Sequence, residues 1–331
     1  MELKNKSLVD ESLAIPVGIS ACLIGEKVRF DGGHKQSRYC LNVLAECFKF
    51  VPFCPEVSIG LGIPREPIRL VKIQTEQGES QVRVQGTKDT SLDVTDELAA
   101  YADLVSKNQP ELCGYVLMKS SPSCGMERVK VYDHNNVPEA SGAGAFAQRY
   151  MELNPEVPVE EEGRLNDPLL RENFITRVFA LHTWREQVLS NPSLHAVIQF
   201  HSCYKYQLMA HSYQAYKELG RYLATEAPKE DLELVLETYI HKLMTSLKKR
   251  ANRKSHCNVL MHILGYLKHE LDSKTKHDIL EAIDQYRTSI VPLVVPITLL
   301  KHYLKRHGSE YIRSQAYLDP YPHELGLRNY I

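Results

Sequence analysis

Three of the eight cysteines stand apart by their neighbours: Cys22 in ACLIG, Cys54 in FCPEV and Cys124 in SPSCG. Each lies at or just after an apolar run with strand character, so all three can meet at one edge of a sheet. Each is also bordered by small or rigid residues. Loops of that kind leave backbone N–H groups free to hydrogen-bond sulfur, and such bonds tune iron–sulfur centres. The spacing, 31 and then 69 intervening residues, fits no compact zinc or ferredoxin motif, and three buried structural cysteines account for it equally well. Cys40 and Cys47 (seven apart on a predicted helix), Cys113, Cys203 and Cys257 read as small buried apolar residues.

The segments that must position these residues alternate in period. Residues 15–21 (IPVGISA) read as a buried strand running into Cys22, and 50–54 (FVPFC) as a second strand. Between them, 36–47 carries apolar residues at helical spacing. Residues 67–73 and 81–85 alternate around EQGES and predict a hairpin. A helix opens at Asp93 or Thr95, a strand covers 114–118 before KSSPSCG, and GAGAFAQRYMEL predicts a closing helix. Alternation of this kind predicts an α/β domain with a mostly parallel sheet over residues 1–155, and such sheets place active sites beyond the carboxyl ends of their strands. The Pro- and acid-rich stretch 156–167 reads as a linker. From 168 to 331 the pattern is helical throughout, with helices over 168–190, 193–225 with a break, 229–250, 255–270, 273–288 and 293–306, which predicts an all-α helical bundle.

A chain of 331 residues exceeds what one core usually fills, in keeping with two domains. Eight cysteines are too sparse for a disulfide scaffold, no run of 18 apolar residues occurs, and the start MELKNKSLVDESLA lacks a leader's apolar core. The expectation is a cytoplasmic chain without membrane contact. The net charge of −1 hides an asymmetry: residues 171–331 carry 22 Lys and Arg against 16 Asp and Glu, leaving 18 against 25 for residues 1–170. A half with excess positive charge suits a polyanion, although two domains drifting apart in composition would look the same.

The series GISACLIGEKVRFDGGHK, FCPEVSIGLGIPREPIRL and VLMKSSPSCG resembles the thiouracil desulfidase family over residues 15 to about 155. The later segments NVLMHILGYLKHEL, QYRTSIVPLVVPITLLKHYL and YPHEL are similar to the YbgA-like helical domain, and the pair resembles two-domain tRNA 4-thiouridine desulfidases. The resemblance implies that Cys22, Cys54 and Cys124 ligate a 4Fe–4S cluster, with one iron not bound by protein and open to a substrate's sulfur. Four-cysteine ligation would lack that vacancy and suit electron transfer. The resemblance further implies Glu56 as general acid/base and Ser121 as the site serine, with Ser120, Ser123 and Asp31 as supporting candidates. Without the resemblance, Glu56 reads as a surface or capping glutamate and the serines as turn residues. Asp31 in RFDGG could orient Lys35, Arg29 or a water, yet Asp-Gly is above all a turn signal.

In the helical half the cluster Lys242, Lys248, Lys249, Arg250, Arg253 and Lys254 could meet phosphates, and Tyr204, Tyr206, Tyr213 and Tyr216 could stack unpaired bases. Solvated charges and bundle core are the bland readings, and the resemblance favours tRNA. His262 and His269 fall on one side of a predicted helix without a metal partner. The expected activity is therefore conversion of 4-thiouridine in tRNA to uridine with release of sulfide. Rivals are a desulfidase of free thiouracil or thiouridine, and a non-catalytic RNA-binding iron–sulfur sensor. A cysteine hydrolase with His34 or His134 as partner is a poorer fit. The sequence leaves oligomeric state open.

Overall fold

The computed structural model describes residues 15–74, 78, 80–133 and 135–331, and the chain parts into two compact units, Met1–Asn166 and Asp167–Ile331. The start MELKNKSLVDESLA, residues 75–77 and 79 of the expected hairpin turn, and His134 lie outside the described residues.

The first unit holds two four-stranded sheets. In the first, β1 (Ile15–Ser20), β2 (Phe48–Phe53), β5 (Tyr115–Leu117) and β8 (Val159–Glu161) lie in the order β2-β1-β5-β8, with every pair parallel. The apolar run IPVGIS makes β1 a central strand buried on both faces, as parallel strands are. Gly18 is required there: a Cβ at this position would sit 2.6 Å from the Tyr115 ring. That ring is fully buried among Phe53, Phe146 and Tyr150, at centroid distances of 5.8, 5.9 and 5.0 Å. Such aromatic contacts add about 0.5–1.5 kcal/mol per pair beyond the area they bury, so a side chain at position 18 would disturb both the ladder and this cluster.

The second sheet was only half legible. Strands β3 (Ile68–Gln74) and β4 (Ser80–Gly86) pair antiparallel as the expected hairpin, and β6 (Val129–Tyr132) and β7 (Pro138–Gly142) extend them in the order β4-β3-β6-β7. Neither β6 nor β7 is long or apolar enough to signal itself. Helix α3 (Thr95–Asn108) packs on α4 (Ala145–Leu153), with Tyr101 and Phe146 5.7 Å apart. The helix expected over 36–47 is broken: α1 (Arg38–Asn42), capped by Ser37, stops at β-branched Val43, and a 3-10 turn Leu44–Glu46 leads into β2.

Of the stretch 156–167, expected as a linker, all but Asp167 is instead part of this unit. Its residues 159–161 form β8 beside β5, and its acids are engaged rather than solvated. Buried Glu160 takes the Arg164 guanidinium at 2.6 Å, and Glu161 accepts the Met126 N–H at 3.0 Å. Composition gave the wrong picture here because the carboxylates serve backbone amides and one arginine.

In the second unit, α5 (Pro168–Trp184) continues through a π turn, Arg185–Leu189, and is followed by α6 (Leu194–His211), α7 (Tyr213–Thr225), α8 (Leu232–Leu247), α9 (Arg253–Gly265), α10 (Ser273–Arg287), α11 (Val294–His307) and α12 (Glu310–Arg313). Among the described residues this unit contains no strand. Its helices start where side chains satisfy the orphan amides: Asp167, Ser193, Ser212, Asn252 and Asp272 each accept a first-turn N–H. Each cap contributes about 1 kcal/mol. Ser212 also explains the break between α6 and α7. Leu260, Ile263, Ile283, Ile297 and Leu300 fill the core between α9, α10 and α11. Because α9 ends at Gly265, His262 and His269 do not share a helix, contrary to expectation. No described helix is long and apolar enough to cross a membrane.

Candidate active site

Parallel neighbours end at the same edge, and this brings the cysteines together. In register, Ser20 stands opposite Phe53 and Ile19 opposite Val116, so β1, β2 and β5 leave the sheet side by side. Cys22 follows within the 3-10 turn Ala21–Ile24, and Cys54 caps the short helix α2 (Pro55–Ser58). Cys124 sits in the loop after β5. That loop is tightened by Gly125 N–H donating to Ser121 O at 2.8 Å and Cys124 N–H to Ser121 Oγ at 3.1 Å. The start of α4 clamps it, with Ala145 N–H on Pro122 O and Ala147 N–H on Ser123 O, both at 3.1 Å. Gly144 permits this approach, since a Cβ there would lie 2.5 Å from the Ser123 carbonyl.

All three thiols are free and line one cavity of about 410 Å³. Cys54 acts electrostatically on both Cys22 and Cys124. Burial pushes the Cys22 thiol up to about 11 against the pull of Arg29, and Cys124 up to about 12 despite hydrogen bonding from Ser123 and Ser20. Burial raises Cys54 as well, opposed by the amides of Val57 and Glu56. The sulfurs are therefore neutral thiols until a metal displaces their protons. Among the described residues no three His, Cys, Asp or Glu side chains are placed to hold a single metal ion. Three sulfur donors lining one cavity are the set that a polynuclear iron–sulfur core would use, one thiolate to an iron, and the first amides of α2 lie toward the Cys54 sulfur.

Against the cysteines stands a carboxylate with both oxygens fixed. Glu56 Oε2 receives Arg65 Nε at 2.8 Å and Nη2 at 2.6 Å, and Oε1 receives the Ser123 hydroxyl at 2.6 Å. Arg65 is itself anchored through Nη1 to Gly62 O at 3.0 Å and is nearly buried. Ser121 Oγ lies 3.0 Å from Ser123 Oγ, so Ser121, Ser123 and Glu56 form a hydrogen-bonded chain along the wall that holds Cys124. Of the serines considered, Ser123 touches Glu56, whereas Ser121 holds the loop amides. Ser120 is exposed with φ 57° and lines the cavity without a bond to Glu56. Arg65 escaped the sequence reading. Its signal was a lone arginine in the Gly- and Pro-rich loop GLGIPREP, nine residues after Glu56.

The other candidates are placed as follows. Asp31 Oδ1 accepts the Gly33 N–H at 3.0 Å, an Asx turn outside the cavity lining, with Arg29 Nε 3.8 Å away. Arg29, Lys35 and Lys119 line the cavity and, with Arg65, make it strongly basic against Glu56. His34 Nδ1 accepts the Gln36 amide, and among the described residues no histidine lines the cavity; His134 lies outside them. In the second unit, Lys248, Lys249, Arg250 and Lys254 are exposed around the end of α8 and the start of α9. Arg253 is engaged, donating to Tyr286 O at 2.9 Å with its guanidinium 4.7 Å over the Tyr286 ring. Tyr204 is core, stacked on Phe200 at 4.3 Å.

Comparison with known proteins matches this division. The family described as 2-thiouracil desulfurase matches residues 17–162, and the family described as protein of unknown function (DUF1722) matches residues 205–322. The uncharacterized protein YbgA of Escherichia coli (strain K12) is 30% identical over 155 residues, 47% of this chain and 92% of that protein. The uncharacterized protein YbbK of Bacillus subtilis (strain 168) is 29% identical over 121 residues, 32% of this chain and 71% of that protein. Among solved structures, the 4Fe-4S-dependent thiouracil desulfidase TudS is 30% identical, covering 46% of this chain and 93% of that one, with a TM-score of 0.34. By its likeness to YbgA the chain belongs to the YbgA family, and it joins a thiouracil desulfurase-like domain to a DUF1722 domain.

Proposed function

We propose that the first unit is a desulfidase that replaces the sulfur of a thiolated uracil with oxygen from water, and that it acts on 4-thiouridine in tRNA, yielding uridine. A 4Fe–4S cluster held by Cys22, Cys54 and Cys124 would supply a thiophilic, Lewis-acidic iron without a protein ligand. The observation that carries the reading is the meeting of these three thiols with a doubly anchored carboxylate in one cavity.

The chain's own residues account for the proton movements. Glu56, oriented by Arg65 and Ser123, takes a proton from the attacking water as the new C–O bond forms at C4. Glu56 then passes that proton to the sulfur, the C–S bond breaks to release hydrosulfide, and the hydroxyl proton left at C4 goes to Glu56 as the C4 carbonyl forms, with no net oxidation or reduction. Ser123 and Ser121 keep the carboxylate directed at the cavity while the loop holds Cys124 in place. Arg29, Lys35 and Lys119 suit a phosphate-bearing nucleotide better than a neutral base. The second unit, positive in net charge over residues 171–331, would meet the tRNA backbone, with Lys248, Lys249, Arg250, Arg253 and Lys254 as candidate contacts. A cluster sensor would need neither Glu56 nor its arginine anchor.

The test is anaerobic incubation of iron-loaded protein with bulk bacterial tRNA, following loss of the near-ultraviolet thiouridine band and release of sulfide. Retention of the band with fully loaded protein would reject tRNA as substrate. Turnover of free thiouracil or 4-thiouridine alone would support the second reading, which is favoured by a cavity lined entirely by residues of the first unit.

A further inference from the structure

We infer that the helical unit carries a tyrosine–lysine surface, centred on Tyr266, Tyr311 and Lys205, on which unpaired nucleotides of a single-stranded RNA segment stack; this rests on the reading that the thiolated base arrives within RNA. Three elements distant in sequence build the surface. Tyr206 of α6 donates through its hydroxyl to that of Tyr266, at the end of α9, over 3.2 Å, and the rings of Tyr266 and Tyr311 of α12 lie 5.9 Å apart. Lys205 completes the group, its ammonium 4.7 Å from the Tyr311 centroid and 5.3 Å from that of Tyr206. Tyr216 of α7 acts electrostatically on both Tyr206 and Tyr311, and its ring is 5.9 Å from that of Tyr213, over which Lys217 lies at 4.7 Å. The outer members are open to solvent: Tyr266 is 43% and Tyr213 49% exposed.

Two features select RNA as the occupant. The exposed rings of Tyr266 and Tyr213, with the ammonium groups of Lys205 and Lys217 set over rings of the same group, provide base stacking and phosphate contact together, which is how single strands are held without sequence preference. The strongest electrostatic influences on Tyr206 and Tyr311 come from other tyrosines and Cys203, with no carboxylate among them. The basic stretch from Lys248 to Lys254 lacks this pairing. The ring at hand there, Tyr286, is buried, whereas Tyr266 and Tyr213 are open to solvent.

The experiment titrates the full chain with bulk tRNA and with a short oligouridylate, reading fluorescence anisotropy across a salt series. Tyr266→Ala is expected to weaken both RNAs by about tenfold. Tyr266→Phe keeps the ring and should stay near wild type. Lys205→Ala should weaken binding and lower the salt slope by about one. Circular dichroism checks that each variant remains folded. Wild-type affinity in both Tyr266→Ala and Lys205→Ala overturns the inference, and so does competition by polyglutamate as strong as by oligouridylate. Loss of binding only when Lys248, Lys249 and Arg250 are neutralised also overturns it, leaving the tRNA reading intact. Conversely, tenfold weakening in Tyr266→Ala upholds the surface even if the wild type desulfidates nothing, in which case the desulfidase reading alone fails.

Discussion

Arg65 grips Glu56 with two N–H groups on a single carboxylate oxygen, Nε at 2.8 Å and Nη2 at 2.6 Å from Oε2, and so leaves Oε1 to Ser123. Charge-assisted bonds of this kind are short and directional. Held by both oxygens, Glu56 cannot swing out of the cavity. The proposed role of Glu56 as proton carrier therefore depends on an arginine that lines the same wall.

Replacing Arg65 by Met should leave Glu56 partly buried with one bond. The pair is well shielded, with side-chain exposures of 5% and 15%, and breaking such a pair costs about 3–5 kcal/mol. Denaturant melts are expected to show that loss. Arg65→Lys should recover part of the stability and little of the turnover, because an ammonium cannot reproduce the paired N–H donors. A fully active Arg65→Met variant would contradict the positioning role.

Glu56→Gln preserves shape but removes the proton acceptor. Iron content should match wild type while kcat falls about 100-fold or more. Parallel loss of iron and activity would make Glu56 structural.

Each of Cys22→Ala, Cys54→Ala and Cys124→Ala should abolish the brown colour and the roughly four irons per chain expected of anaerobically loaded protein. Cys40→Ala and Cys113→Ala, in contrast, alter buried thiols outside the cavity and should keep the iron. Loss of iron from that second pair would redraw the ligand set.

The two neighbouring serines should separate by readout. Ser121 Oγ accepts the amides of Ser123 and Cys124, so Ser121→Ala loosens the cysteine loop and should lower iron retention. Ser123→Ala removes the donor to Glu56 and should lower kcat with iron unchanged. Identical behaviour of the two variants would count against this division.

Acid should weaken the helical unit. Burial holds His201 down to about 4, and lowers His211 and His256 as well. Unfolded histidine titrates near 6.5, so below that pH the unfolded chain binds more protons than the folded one. The stabilisation from neutral burial is thus complete above about pH 6.5 and fades as pH falls toward 4. Hydrogen exchange in α6 and α9 should accelerate over that window; pH-independent protection would show that these rings are not held neutral.

Much of the architecture was written into local pattern. The apolar run of β1 and the period of the later helices depend only on neighbours in sequence, so they could be read directly. The cysteine triplet was visible too, because short loops after strands leave few places for Cys22, Cys54 and Cys124 to go. Tertiary structure decided the rest. Strands β6, β7 and β8 exist because partners complete their ladders, and nothing in VKVY or VEE announces that by itself. Which serine faces Glu56, and that Arg65 anchors it, follow from loops brought together across 67 and nine residues. The tyrosine surface likewise draws on α6 and α7 together with the distant α9 and α12, brought together by ring contacts and a hydrogen bond. Hydrogen bonds and ring contacts between distant segments carry no periodic trace, so only the folded chain specifies them.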